Sequence, residues 1–129
     1  VRALRDEGTS YHYLPASRFI DLDEKAVKAI AETLEEDKVP YLKATTWTTD
    51  AFYRETAEMV RYRREEGCLT VEMECASFAA TARFRGATFG QILYAGDDVS
   101  GETWDSRAWS RNEIRKKLGD LAIRACLKL

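Results

Sequence analysis

Two acidic clusters in this chain of 129 residues stand where carboxylates can do chemistry. Glu72-Met73-Glu74 closes a run in which apolar and polar residues alternate, and Asp97-Asp98 follows Gly96 at the end of an apolar run. A fixed carboxylate can accept two hydrogen bonds from a vicinal diol. A second carboxyl, its pKa raised by burial or by a like charge such as Asp98 beside Asp97, can donate a proton to a leaving group. The same residues admit a plainer reading. Glu74 would then be a capping carboxylate at a helix N-terminus, where negative charge is favoured, and Asp97 a turn former.

The elements that must position these groups follow from periodicity. Val1 to Leu4 reads as the end of a strand, and Arg5 to Tyr13 as a polar, aromatic-laced loop closed by Pro15. Asp21 followed three residues later by Glu24 resembles a capping box. Val27, Ile30, Ala31 and Leu34 then fall on one helical face, predicting a helix from Asp23 to Asp37 that stops before Pro40. Tyr41 to Thr48, rich in Thr, Tyr and Trp, predicts a strand, and Thr49 to Thr56 a loop. A charged helix from Ala57 to Glu66 should end at Gly67. Leu69, Val71 and Met73 have the period of a half-buried strand. Cys75, Phe78, Ala79 and Ala82 return to helical spacing as far as Gly86. Thr88 to Ala95 predicts a further strand and Val99 to Ser106 a turn-rich stretch. The last helix carries Ile114, Leu118, Leu121, Ala122 and Ala125 on one face. Such alternation implies an α/β fold with helices covering a largely parallel or mixed sheet. In such sheets ligands lie off the carboxyl ends of strands, which is where both acidic clusters fall.

Composition narrows the classes. Twenty basic against 22 acidic residues leave a net charge of −2, unlike a dedicated nucleic-acid binder. No apolar run approaches the roughly 20 residues of a membrane helix. Cys68, Cys75 and Cys126 are far apart and lack a C-x-x-C pair, and there is one His, so neither a disulfide framework nor a zinc site is expected. No signal-peptide pattern opens the chain, and the expected compartment is the reducing cytoplasm. The first residue is Val1, not Met; the expectation is a removed amino-terminal piece or an internal fragment.

Four segments carry a family resemblance, in order and in register across nearly the whole chain. Val71-Glu72-Met73-Glu74-Cys75-Ala76-Ser77 resembles the V-E-M-E-A-A segment of the nucleoside phosphorylase family, which includes purine nucleoside and uridine phosphorylases and adenosylhomocysteine nucleosidases. Arg5 to Tyr13 resembles an upstream loop of that family. Thr48-Thr49-Asp50-Ala51-Phe52-Tyr53 resembles its S-x-D-x-F-Y base-pocket segment, and Ile92 to Val99 the strand ending in Ser-Asp. The resemblance implies a three-layer α/β sandwich, with residues 1–129 forming the carboxy-terminal part of an incomplete phosphorylase-type domain.

It also implies roles. Glu74 matches the carboxylate that binds the ribose 2′- and 3′-hydroxyls, with Glu72 in the same substrate-side segment. Met73 matches the residue packed on the sugar's apolar face; the alternative is core filler. Phe52 matches the aromatic that stacks on the base; the alternative is a buried loop anchor. Asp97 matches the acid that protonates or hydrogen-bonds purine N7. Arg107 or Arg111 matches an arginine near that acid, the turn length leaving both open. His12 is assigned either a loop hydrogen bond or a place near the pocket or a subunit interface. Phe52-Tyr53 is followed by Arg54-Glu55-Thr56-Ala57-Glu58 rather than the Gln-x-Arg motif of uridine phosphorylases, and bacterial uridine enzymes lack an acid at the Asp97 position, so purines are favoured.

The implied reaction is phosphorolysis to free base and ribose 1-phosphate, with inorganic phosphate as co-substrate and no metal or organic cofactor. The family's Gly-rich, Arg-containing phosphate grip is not in this sequence, and positioning of the attacking group is worth orders of magnitude in rate. Two alternatives therefore stand beside phosphorolysis: nucleosidase-type hydrolysis, and a non-catalytic nucleoside-binding fragment or subunit. The expected partners are nucleoside and phosphate, with no nucleic acid or membrane, in a homo-oligomer or completed by a missing amino-terminal half.

Overall fold

A computed structural model describes residues 1–96, 101 and 111–129. Asp97, Asp98, Arg107 and all of the Val99–Ser106 turn but residue 101 lie outside the described residues, as does the side chain of Arg111. Four strands, β1 (Arg2–Asp6), β2 (Phe19–Asp21), β3 (Thr45–Thr49) and β4 (Cys68–Glu72), form one sheet in the order β2-β1-β3-β4. β1, β3 and β4 are parallel, and β2 runs antiparallel to β1. Among the described residues four helices accompany them: α1 (Glu24–Glu36), α2 (Ala57–Glu65), α3 (Cys75–Arg85) and α4 (Arg111–Cys126).

Strand alternation divides the core between the two sheet faces. Ala3, Ile20 and Leu22 pack with Cys75, Ala76, Ala79 and Ala80 of α3 and with Val27 of α1. The small side chains of Ala3, Ala76 and Ala80, all fully buried, let α3 lie close to the sheet. Leu4, Trp47 and Cys68 face the other way, against Met59 and Val60 of α2. That face is bolted by Asp6, whose Oδ2 accepts from Trp47 Nε1 at 2.9 Å and Arg63 Nη2 at 2.6 Å. The result is the expected three-layer arrangement. α4 packs along α1, and Arg124 donates to both oxygens of Asp37 at 2.8 Å. Burial pushes the Cys75 thiol up to about 12, with the Glu72 charge adding to it, so this cysteine is inert core.

Several sequence expectations are corrected. The helix after Asp23 forms as predicted, but its cap is Asp23, whose Oδ1 accepts from Lys25 N and Ala26 N. Asp21 is no capping residue: it pairs with Arg2 in the ladder and takes a 2.6 Å bond from Arg2 Nε. That short edge strand was not anticipated, because three residues are too few for a periodic signal. The strand predicted over 41–48 begins instead at Thr45, where the register opposite Arg2 of β1 starts. Leu69 is 62% exposed: the register against β3 shifts from Thr45↔Cys68 to Thr46↔Thr70 and leaves Leu69 as the extra residue of a bulge, so it does not share the half-buried face expected for Leu69, Val71 and Met73.

The strand predicted over 88–95 does not join the sheet. Its Gly90 is pressed onto α1 instead, where an added Cβ would meet Ala26 Cβ at 2.8 Å and Ile30 Cδ1 at 2.9 Å. Gly90→Ala is therefore expected to destabilise the fold by about 1–3 kcal/mol through overpacking. Thermal melting checks this; an unchanged melting temperature would mean that the segment does not rest on α1.

Candidate functional site

Because β1, β3 and β4 are parallel, their carboxyl ends lie along one edge of the sheet. That edge collects Asp6-Glu7, Thr49-Asp50 and Glu72-Met73-Glu74. Each strand then feeds a different element: a 3-10 turn at Thr9–His12, a 3-10 turn at Phe52–Arg54, and α3.

The strand-to-helix corner after β4 is organised by Glu72. Its Oε1 accepts from Thr48 Oγ1 at 2.6 Å and from Thr46 Oγ1 at 3.4 Å. Its Oε2 accepts from the N–H groups of Glu74 at 2.9 Å and Cys75 at 2.6 Å. Thr48 Oγ1 accepts from Ala76 N at 3.1 Å. The first turn of α3 is thus capped from the sheet, by Glu72 and Thr48, which satisfies donors that a helix N-terminus otherwise leaves open. Glu74 occupies the N-cap position, yet its side chain makes no capping bond to the helix. Among the described residues its Oε2 accepts from Met73 N, at 3.3 Å, and the residue is exposed. The plainer reading of Glu74 as a capping carboxylate is not what the structure shows. Met73 beside it is 41% exposed, more than core filler would be.

Phe52 is 50% exposed and stacks on Tyr53 with ring centroids 3.9 Å apart. It is not a buried loop anchor. The structure brings Met73, Glu74 and Phe52 to the same sheet edge, with Glu72 directed into the protein. His12 is exposed in the turn after β1. Arg111 heads α4, and Asp97 and Arg107 are not among the described residues.

A further cluster lies in the Arg5–Tyr13 segment, which the sequence marks as a polar loop and a family-like segment without assigning Arg5, Glu7 or Ser10 a role. Glu7 is 7% exposed. Its Oε2 accepts from Ser10 N at 2.9 Å and Ser77 Oγ at 2.8 Å, and its Oε1 from the Ser10 hydroxyl. Arg5, 2% exposed, donates to Ser10 Oγ at 2.8 Å, to Ser17 Oγ at 2.7 Å and to the Pro15 carbonyl at 2.8 Å. Its guanidinium lies 4.2 Å over the Tyr11 ring. The one signal in the sequence was two charges, Arg5 and Glu7, placed among small hydroxyl residues.

A cavity of about 740 Å³ lies elsewhere among the described residues. It runs between α1, α4 and residues 91–95, over the amino-terminal half of the strands, and no described lining residue is a carboxylate. Size alone would nominate it, but the polar groups among its described lining residues are cationic, hydroxyl and amide side chains such as Arg2, Lys43, Gln91 and Lys117 rather than carboxylates. Among the described residues no group of His, Cys, Asp and Glu could hold a metal ion, and no helix is long and apolar enough to cross a membrane.

A mixed sheet with helices on both faces and a carboxylate-bearing edge defines an α/β protein of the phosphorylase architecture. The chain belongs to the phosphorylase superfamily, whose family model matches residues 1–128. Among solved structures it is similar to an AMP nucleosidase from Bacteroides thetaiotaomicron, at 22% identity and a TM-score of 0.71, covering 96% of this chain and 48% of that one. It is also similar to a uridine phosphorylase from Vibrio fischeri, at 21% identity and a TM-score of 0.65, covering 98% and 51%. The chain therefore spans about half the length of these two proteins.

Burial pushes the Glu7 carboxyl up, but the hydrogen bonds from Ser10 and Ser77 outweigh it and hold the group below the usual range. Its folded pKa is depressed, so its contribution to stability is present above the unfolded value of about 4.3 and is lost as pH falls through the folded one. The melting-temperature gap between wild type and Glu7→Gln should narrow between about pH 6 and pH 3. A gap independent of pH would show that Glu7 does not hold this network as a carboxylate.

Proposed function

We propose that this chain carries the ribose and base sites of an enzyme that cleaves the N-glycosidic bond of a nucleoside, by phosphorolysis of a purine nucleoside to free base and ribose 1-phosphate. The observation that supports this best is the division of labour at the corner after β4. Glu72 and Thr48 cap α3, and Glu74 keeps its carboxylate for an outside donor.

In this reading the exposed Glu74 carboxylate, which makes no capping bond to α3, accepts from two ribose hydroxyls. Met73 covers the sugar's apolar face, and Phe52 offers an exposed ring for the base. Glu72 is the group that fixes the corner from which Met73 and Glu74 act. Asp97 supplies the proton or hydrogen bond to N7, so that the base leaves neutral rather than as an anion. Arg107 or Arg111 stands near it. Phosphate is the co-substrate, no metal or organic cofactor is invoked, and the setting is the cytoplasm. The phosphate grip is assigned to an amino-terminal half or to a partner copy in a homo-oligomer. Hydrolysis is the second reading, favoured by the likeness to an AMP nucleosidase.

Calorimetry with inosine tests the sugar site. Glu74→Gln should weaken binding about tenfold or more, the worth of a hydrogen bond to a charged group. Unchanged affinity would remove Glu74 from the ribose. In the active assembly, inosine and phosphate should yield ribose 1-phosphate; free ribose released without phosphate would replace phosphorolysis by hydrolysis. Asp97→Asn should slow purine cleavage by about 100-fold or more, the scale of general acid catalysis, and pyrimidine cleavage by less. Equal losses would contradict the N7 role.

A further inference from the structure

We propose that Glu7, Gly8 and Ser10, in the segment that leaves β1, are the positioning element of the nucleoside site, fixing the sugar-side and base-side segments against one another. The inference rests on the reading of Glu74 and Phe52 as the residues that meet sugar and base. Two bonds carry it, both made to segments distant in sequence. Glu7 Oε2 takes the Ser77 hydroxyl at 2.8 Å, and Ser77 lies one helical turn beyond Glu74. The N–H of Gly8 donates to Asp50 Oδ2 at 3.0 Å, and Asp50 lies two residues before Phe52. Adjacent residues of one loop thereby grip the start of α3 and the start of the Phe52 turn.

The loop is itself held rigid. Ser10 is fully buried, its N–H and hydroxyl both donate to Glu7, and its oxygen accepts from Arg5 Nε at 2.8 Å. Arg5 is in turn fastened to Pro15 and Ser17. A carboxylate needed only to shape its own loop would be satisfied by Ser10. Glu7 also takes a donor 70 residues away. Fixing substrate-binding groups within fractions of an ångström is what preorganisation requires.

The experiment is methyl and aromatic NMR on the full chain, which has two methionines, Met59 and Met73. Ser77→Ala should displace the Met73 methyl resonance and leave that of Met59, on α2, in place. Ser77→Thr, which keeps the hydroxyl, should restore it. Asp50→Ala should displace the Phe52 ring resonances, again without moving Met59. A Met73 resonance unmoved in Ser77→Ala, or Met59 and Met73 displaced together as in general loosening, would overturn the proposal. Titration of the wild type with inosine tests the underlying reading separately. If inosine leaves Met73 and Phe52 unmoved, the nucleoside site is wrong, while the spectra without inosine still decide the positioning role. With inosine bound, Ser77→Ala should weaken binding about tenfold.

Discussion

The bond pair from Glu72 Oε2 to the N–H groups of Glu74 and Cys75 is the contact on which the rest of the site depends. A helix that starts directly at a strand end has open donors and no spacer in which to place a capping residue. Here the last strand residue turns back to cap the helix, and Thr48 from the neighbouring strand completes the cap. The threonines of β3 serve two purposes. Their β-branched side chains suit a strand, and their hydroxyls satisfy buried polar groups that an all-valine strand would leave unpaired. Had Glu74 been required as the cap, its oxygens would be committed to the helix and the edge would lose its outward-facing carboxylate.

The elements most visible in the sequence are those whose signal is local. The helices over 24–36 and 75–85 follow from apolar spacing, that over 57–65 from a charged run, and the stops of the last two from Gly67 and Gly86, both at positive φ. The alternation over 68–72 marks β4, although Leu69 is exposed at a bulge that the alternation does not reveal. What periodicity could not reveal is set by pairing. β2 is a strand only because β1 lies beside it, and 88–95 is not one because Gly90 draws it onto α1. The candidate site divides the same way. Glu74, Met73 and Phe52 were visible through their type and setting, whereas the role of Glu72 depends on which way its side chain turns. Glu7 and Ser77 lie too far apart in the chain for any spacing rule to join them.

Electrostatics at the strand ends follows from the same economy. Asp6, Glu7 and Glu72 lie at the carboxyl ends of β1 and β4, and each has donors of its own. Asp6 takes Trp47 and Arg63, Glu7 takes serines and backbone, and Glu72 takes threonines and a helix N-terminus. Glu74, by contrast, is exposed and makes no capping bond to α3. The large apolar cavity on the other side of the fold contributes no such group.

The parallel pairing of β1 with β3 and of β3 with β4 has a consequence for how the molecule comes together. Each pairing closes a chain excursion through a helix, and such non-local contacts form slowly because ordering entropy is lost before they reward it. The Glu7–Ser77 bond spans 70 residues, farther than any backbone pairing in the sheet. It can close only after β1, β3 and β4 are all in register. A partly folded chain therefore has helices and a growing sheet but no assembled edge, and the arrangement of Glu7, Ser77 and Glu74 arrives together with the native state rather than ahead of it.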